Sequence, residues 1–184
     1  MKKLSLLSVS FLSALALLVS SSVVHAQSWY DLDWEYRKAI IIDADKVAGN
    51  LTDYPLLVNI TDSDLQANAL PSGGDILFTA NDGTTKLDHE IESYNDGSGS
   101  LVSWVRIPNL SSTVNTVIYL YYGNPAASPQ ENPTAVWDND FVMVQHLEET
   151  SGNHNDSTTN GNDGSASVTT QGSATGQVNG SDEF

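Results

Sequence analysis

The chain has 184 residues, no cysteine, and 23 acidic against 7 basic residues, for a formal net charge of −16. Without cysteine, neither a disulfide nor a lipid-modified thiol can stabilise or tether it, so stability has to come from apolar burial. A surface this acidic repels DNA, RNA and anionic lipid, which excludes the functions that need them.

The chain opens MKKLSLLSVSFLSALALLVSSSVVHAQ, with Lys2 and Lys3 ahead of an apolar, serine-rich run that closes on Val24-His25-Ala26. This order is that of a secretory signal peptide cleaved after Ala26, preferred over a retained anchor because of the serines and the small-residue cleavage pattern. Cleavage removes two of the basic residues and none of the acidic ones, taking the net charge to −18. The mature chain is therefore expected to be exported, to the periplasm, the cell surface or the medium, with no membrane insertion.

From Trp29 to Gly123 short apolar runs of period two alternate with Asn, Asp, Gly, Ser and Pro, the pattern of an all-β sandwich. Strands are predicted over 36–42, 55–60, 76–79, 87–92, 101–107 and 116–122, and one or two helical turns over 62–70. "ANDGTTK" at 80–86 reads as a hairpin turn, since Asp-Gly takes the positive φ such turns need. In "LDHEIES", Leu87, His89 and Ile91 point one way and Asp88, Glu90 and Glu92 the other. In "LVSWVRIP", Val102, Trp104 and Arg106 share a face opposite Val105 and Ile107, which predicts a central strand that Pro108 ends for want of a donor. "TVIYLYYGNP" places Tyr119, Tyr121 and Tyr122 on a strand that reads as covered on both faces, ahead of the alternative of an aromatic ligand platform. Gly123-Asn124-Pro125 stops it. Beyond, from Thr150 to Asp182, only Ala166, Val168, Ala174 and Val178 are apolar, too few for that stretch to form a core by itself.

"WEYRKAIII" (34–42), "YPLLVNI" (54–60), "GGDILFTANDGTTKLDHEIESY" (73–94), "WVRIPNL" (104–110) and "IYLYYGNP" (118–125) together resemble the bacterial and archaeal family called domain of unknown function 2341, over roughly residues 29 to 125. The resemblance implies a β-sandwich at the cell surface, sometimes in one polypeptide with a proton-channel subunit of the biopolymer-transport kind. Leu77 stands where the resemblance leads one to expect arginine. "AVWDNDFVMVQHLEET", "DSTTNGNDGSA" and "GQVNGSDEF" are similar to the opening of a concanavalin A-like, laminin-G-type domain, with only its beginning present. The expected organisation is a signal peptide (1–26), an antiparallel, jelly-roll-like β-sandwich (27–125), a linker (126–136) and the polar, incomplete start of a second domain (137–184), with further domains of the same parent chain as partners.

Few constellations suggest chemistry. "HEIES" has Ser93 where a zinc-protease motif needs its second histidine, and it lies on a predicted strand. Asp88, Glu90 and Glu92 form a carboxylate row that could serve as a glycosidase pair or a cation site, although a solvated acidic face is the commoner meaning of such a row. "DADKVAGNLTD" and "DSDLQANALPSG" lack the glycine and glutamate of an EF-hand. "DSTTNGNDG" offers Asp156, Asn160 and Asp163 as oxygen ligands for calcium, the one candidate cofactor, against the competing reading of a polar turn cluster held by Asx-type bonds. No nucleophile elbow, P-loop or dinucleotide fingerprint occurs, and no catalytic residue is assigned. His89 and His146 fall on predicted strands and read as packed. The leading expectation is a noncatalytic surface module binding glycan or another extracellular polymer through Trp34, Tyr94 and Trp104 beside Asp88, Glu90 and Glu92, because sugars stack on aromatic faces while carboxylates accept their hydroxyl protons. A structural spacer or adhesion domain is the alternative, with polysaccharide cleavage a third.

Overall fold

The computed structural model describes residues 28–138, 140–164, 170–176 and 178–183; the expected signal peptide lies outside the described residues. Strands β1 (Tyr36–Ile42), β2 (Leu51–Thr61), β3 (Leu77–Thr79), β4 (Lys86–Leu87), β5 (His89–Asn95), β6 (Ser100–Leu110) and β7 (Thr116–Tyr122) form the body. Helices α1 (Ser63–Asn68) and α2 (Pro133–Val136) and a hairpin of β8 (Thr170–Thr175) and β9 (Gly180–Glu183) complete it. One sheet has the order β1-β7-β3-β4 and the second β2-β6-β5, every pairing antiparallel. This is the all-β sandwich that the period-two pattern predicts.

The main core lies between the sheets, where Phe78, Leu87, Ile118, Leu120 and Tyr122 meet Val58, Leu101, Val105 and Ile107. A smaller cluster of Trp34, Leu77, Tyr119 and Tyr121 covers the outer face of the first sheet, closed by Trp29, Tyr30 and Ala127. Alternate residues of β7 feed the two clusters, so its three tyrosines are core on both faces. The Tyr121 hydroxyl donates to the Gly83 carbonyl at 2.9 Å and accepts from Arg37 at 3.1 Å. Arg37 itself lies over the Trp29 and Tyr119 rings, 4.6 and 4.7 Å from their centroids.

The turn after β7 is built around Asp75, which is fully buried. Its carboxylate accepts from the amides of Gly123 (2.7 Å), Asn124 (3.2 Å) and Leu70 (2.9 Å), and its carbonyl accepts from the Trp34 indole at 2.7 Å. Gly123 has φ +86°, and a Cβ there would run into the Tyr36 ring, so only glycine fits. The predicted hairpin at 80–86 forms, with Gly83 at φ +77° and Asp82 accepting from the amides of Thr84 and Thr85.

Three expectations need correction. The single strand predicted over 87–92 is two strands in different sheets: β4 ends at Leu87, β5 starts at His89, and Asp88 makes the corner. Pro108 does not end β6, which runs on to Leu110. The Arg106 amide faces β5, donating to the Asp88 carbonyl, and Pro108, two residues on, faces the same side after β5 has ended, so its missing N–H costs no ladder bond. His146 lies in irregular chain rather than on a strand.

His89 is fully buried and stands edge-on to Phe78, ring centroids 5.3 Å apart. Neither ring nitrogen makes an aligned hydrogen bond among the described residues, and burial, opposed in part by the backbone of Leu87 and Ile76, lowers its pKa to about 4. The unfolded ring, near 6.5, binds a proton more readily than the folded one, so this contribution to stability is present above pH 6.5 and is lost as pH falls through 4. The span corresponds to about 3 kcal/mol. Urea titrations from pH 7 to pH 4 are expected to show a steeper loss for the wild type than for His89→Leu; parallel curves would show that the ring does not titrate this way. Leu120→Ala, which empties a fully buried site, is expected to cost about 2–5 kcal/mol in the same titration.

Candidate functional site

The outer face of the second sheet carries Glu90 and Glu92 from β5 and Trp104 and Arg106 from β6, with Glu90 paired to Trp104 across the strands. A bulge between Ile91 and Ser93 makes Glu92 the extra residue of β5. This face is not a solvated acidic row: Glu90 is 8% exposed and Glu92 6%. The chain after Asn132 covers it. The Asn132 amide donates to the His89 carbonyl at 2.9 Å, the Glu131 carboxylate accepts from the Ile91 amide at 2.7 Å, and Arg106 donates to the Ala135 carbonyl at 3.0 Å. The stretch expected as a linker is thus bonded to β5 and β6.

At the centre, His146 stands between the two carboxylates, Nδ1 2.5 Å from Glu92 and Nε2 3.2 Å from Glu90. A carboxylate on each side favours the charged, doubly protonated ring, although Nε2 makes no aligned hydrogen bond among the described residues. Burial works against that charge, but the neighbouring Glu90 and Glu92 carboxylates outweigh it and raise the pKa to about 10. Glu90 is likewise pushed up by burial and brought below its ordinary value by His146, Ser157 and Trp137: its Oε1 accepts from the Ser157 hydroxyl at 2.6 Å and its Oε2 from the Trp137 indole at 2.9 Å. Glu92 accepts from the Trp104 indole at 3.1 Å. Both indole N–H groups therefore point inward at glutamates, and the rings lie together with centroids 5.3 Å apart.

Two recesses share Trp104 and Trp137 as a common wall. One, of about 410 Å³, is bounded by Asp53, Tyr54, Asp138, Asp140 and Phe141. The other, of about 310 Å³, is bounded by Glu92, His146, Gln145, Asn179 and Ser181. Asp53 takes a positive φ of 49°, uncommon for a residue with a side chain, and its carboxylate accepts from Arg106 at 3.2 Å.

A family model described as Domain of unknown function (DUF2341) matches residues 72–175. The chain belongs to this family. No curated protein and no solved structure matches the chain. The stretch matched to DUF2341 holds Glu90, Glu92 and Trp104 together with the residues that cover them, Trp137, His146 and Ser157. It therefore extends past Pro125, where the sequence resemblance stops.

The expected site residues do not all gather here. Trp34, 7% exposed, belongs to the outer cluster of the other sheet, because its indole is bonded to Asp75. Tyr94 packs against the main core and donates its hydroxyl to the Leu65 carbonyl at 3.0 Å. Asp88 sits at the corner, accepting from the Asn132 side chain at 2.8 Å. Only Glu90, Glu92 and Trp104 come together, joined by Trp137, His146 and Ser157, which sequence reasoning did not connect to them. The available signal was Val102 and Trp104 on the outer face of a central strand, apolar surface that some other segment had to cover.

The residues expected to ligate calcium are bonded within the protein. Asp156 Oδ1 accepts from the amides of Val144 and Thr158, and Oδ2 from the Thr158 hydroxyl and the Asn162 amide, at 2.8–2.9 Å. Burial pushes this carboxyl up, but those donors hold it at about 2. Asp163 accepts from the Asp156 amide, and the Asn160 side chain donates to the carbonyls of Phe141 and Val142. Both Asp156 oxygens are saturated by the protein, so this donor set closes a turn and does not fit calcium. Among the described residues no group of three or more His, Asp or Glu is arranged to hold a metal.

His146→Gln removes the cation and leaves two buried carboxylates beside each other, so it is expected to destabilise by about 3–5 kcal/mol. Raised hydrogen exchange over 137–158, with β1 and β7 still protected, is the signature to measure. Because the folded histidine pKa is raised, its contribution is complete below pH 6.5 and fades as pH rises through 10. A wild type equally stable at pH 7 and pH 10.5 would contradict the pairing.

Proposed function

We propose that this protein is an exported, noncatalytic module that binds an extracellular glycan on the outer face of its second sheet. The observation that carries the reading is the half-buried ring of Trp104, backed by Trp137, which is 7% exposed; their N–H groups are tied back to Glu92 and Glu90, and both rings line two recesses. Rings held in one orientation lose little freedom on binding, and neighbouring carboxylates accept hydroxyl protons. Among the described residues no helix is long and apolar enough to cross a membrane. Catalysis is not part of the proposal, because both oxygens of Glu90 are engaged with protein donors.

The likeness of the chain after Trp137 to the opening of a concanavalin A-like domain belongs to the same proposal, as a lectin-type neighbour in the parent chain. A second reading, a spacer or adhesion domain of an envelope protein, including one linked to a biopolymer-transport assembly, is favoured by Trp34 and Tyr94 being packed. For the glycan reading, Trp104→Ala is expected to weaken binding to polysaccharides on an array by tenfold or more, about 1.4 kcal/mol, whereas Trp34→Phe leaves it unchanged. A wild type that binds no polysaccharide, while removal of the domain from the parent chain abolishes surface attachment, would favour the spacer.

A further inference from the structure

We propose that the ligand is an internal stretch of a linear polysaccharide without anionic groups that lies across both recesses, with the half-buried Trp104 under its middle. This inference rests on the glycan reading and adds to it a substrate class and a binding mode. The two recesses are open to solvent and meet at the tryptophan pair, so a chain can enter on one side and leave on the other. A single closed pocket would instead capture a chain end or a monosaccharide.

Charge and hydrogen-bonding capacity restrict the class further. The first recess is rimmed by Asp53, Asp138 and Asp140, the second by Glu92. Arg106, beside the first, is already bonded to Asp53 and to the Ala135 carbonyl, and His146, in the second, is held between Glu90 and Glu92. Both cations are already paired with protein carboxylates, so an anionic polymer meets net negative charge, a repulsion that a neutral or cationic polymer does not meet. Two amide side chains at the second recess have also spent donors on the protein: Asn179 donates to the Glu92 carbonyl and to Glu148, and Gln145 to the Asn162 carbonyl. With both indole N–H groups directed inward, the walls offer ring carbons, carboxylate acceptors and the hydroxyls of Tyr54 and Ser181, the complement of a sugar's C–H face and hydroxyl groups.

Titration calorimetry with the mature protein tests this, using β-1,4-glucan, β-1,4-xylan and β-1,4-mannan oligomers of one to six units, with polygalacturonate and chitosan oligomers for comparison. At least one neutral or cationic series is expected to gain tenfold or more in affinity from the monomer to the tetramer and then level off. Tyr54→Ala at the first recess and Ser181→Trp, which fills the second, are each expected to lower hexamer affinity at least fivefold; circular dichroism and melting curves establish that both variants fold. Equal affinity for monomer and hexamer, a response to only one of the two variants, or tightest binding to polygalacturonate would overturn this inference and leave glycan binding standing. No binding to any of the five would overturn both.

Discussion

A single imidazolium held between two glutamates on one bulged strand joins the sandwich to the chain that covers it. Taking three ionisable groups out of water is costly, and the arrangement is tolerable only because almost every exposed lone pair and proton finds a partner. Glu90 spends its oxygens on Ser157, Trp137 and His146, and Glu92 on Trp104 and His146. Each of these contacts also fixes a ring or a segment, so the charge network determines the orientation of both tryptophans and hence the shape of the two recesses. The same device recurs nearby: His154 lies between Glu149 and Asp182, 2.7 and 2.9 Å away, and ties the β8–β9 hairpin to the loop before it. The bond to Glu149 raises the ring's pKa against the opposing effect of burial, with Asp182 adding to the rise.

These clamps suit a chain that has many carboxylates and no cysteine. Where a disulfide would constrain the unfolded chain, this protein uses buried polar knots that connect segments distant in sequence. Asp75 collects amides from both sides of the turn after β7 and a tryptophan from the N-terminal segment. Arg37 fastens that segment through Ser28 and three aromatic rings. Each knot is worth little if one partner is missing, because what remains is a buried group without its complement.

A consequence for function is that the two sheets differ. The outer face of the first is closed by small, tightly packed aromatic contacts, and Trp34 is consumed there. The outer face of the second is closed by irregular chain that leaves recesses on both sides of a tryptophan pair. Exposed rings such as Tyr54, 41% exposed, lie at the rim of one of them. Recognition is therefore argued at the second face, on side chains whose rotamers are locked from behind.

Residue order alone was enough to place most of the strands and to mark β6 and β7 as covered on both faces, because alternation along an extended chain follows from backbone sterics and needs no knowledge of what lies opposite. It also marked the Asp-Gly hairpin and the glycine stop after β7, where positive φ restricts the residue type. It did not reveal that residues 87–92 change sheets at Asp88, that Pro108 sits harmlessly beyond the end of its neighbour, or that an acidic row would be buried. Those outcomes depend on which segment arrives on the far side: Glu90 meets His146 and Ser157 across more than fifty residues of chain, and no local pattern encodes the partner of a buried charge. Assembly in three dimensions made that choice, since the energy of an ion pair depends on distance and burial, neither of which is a property of a short stretch of sequence.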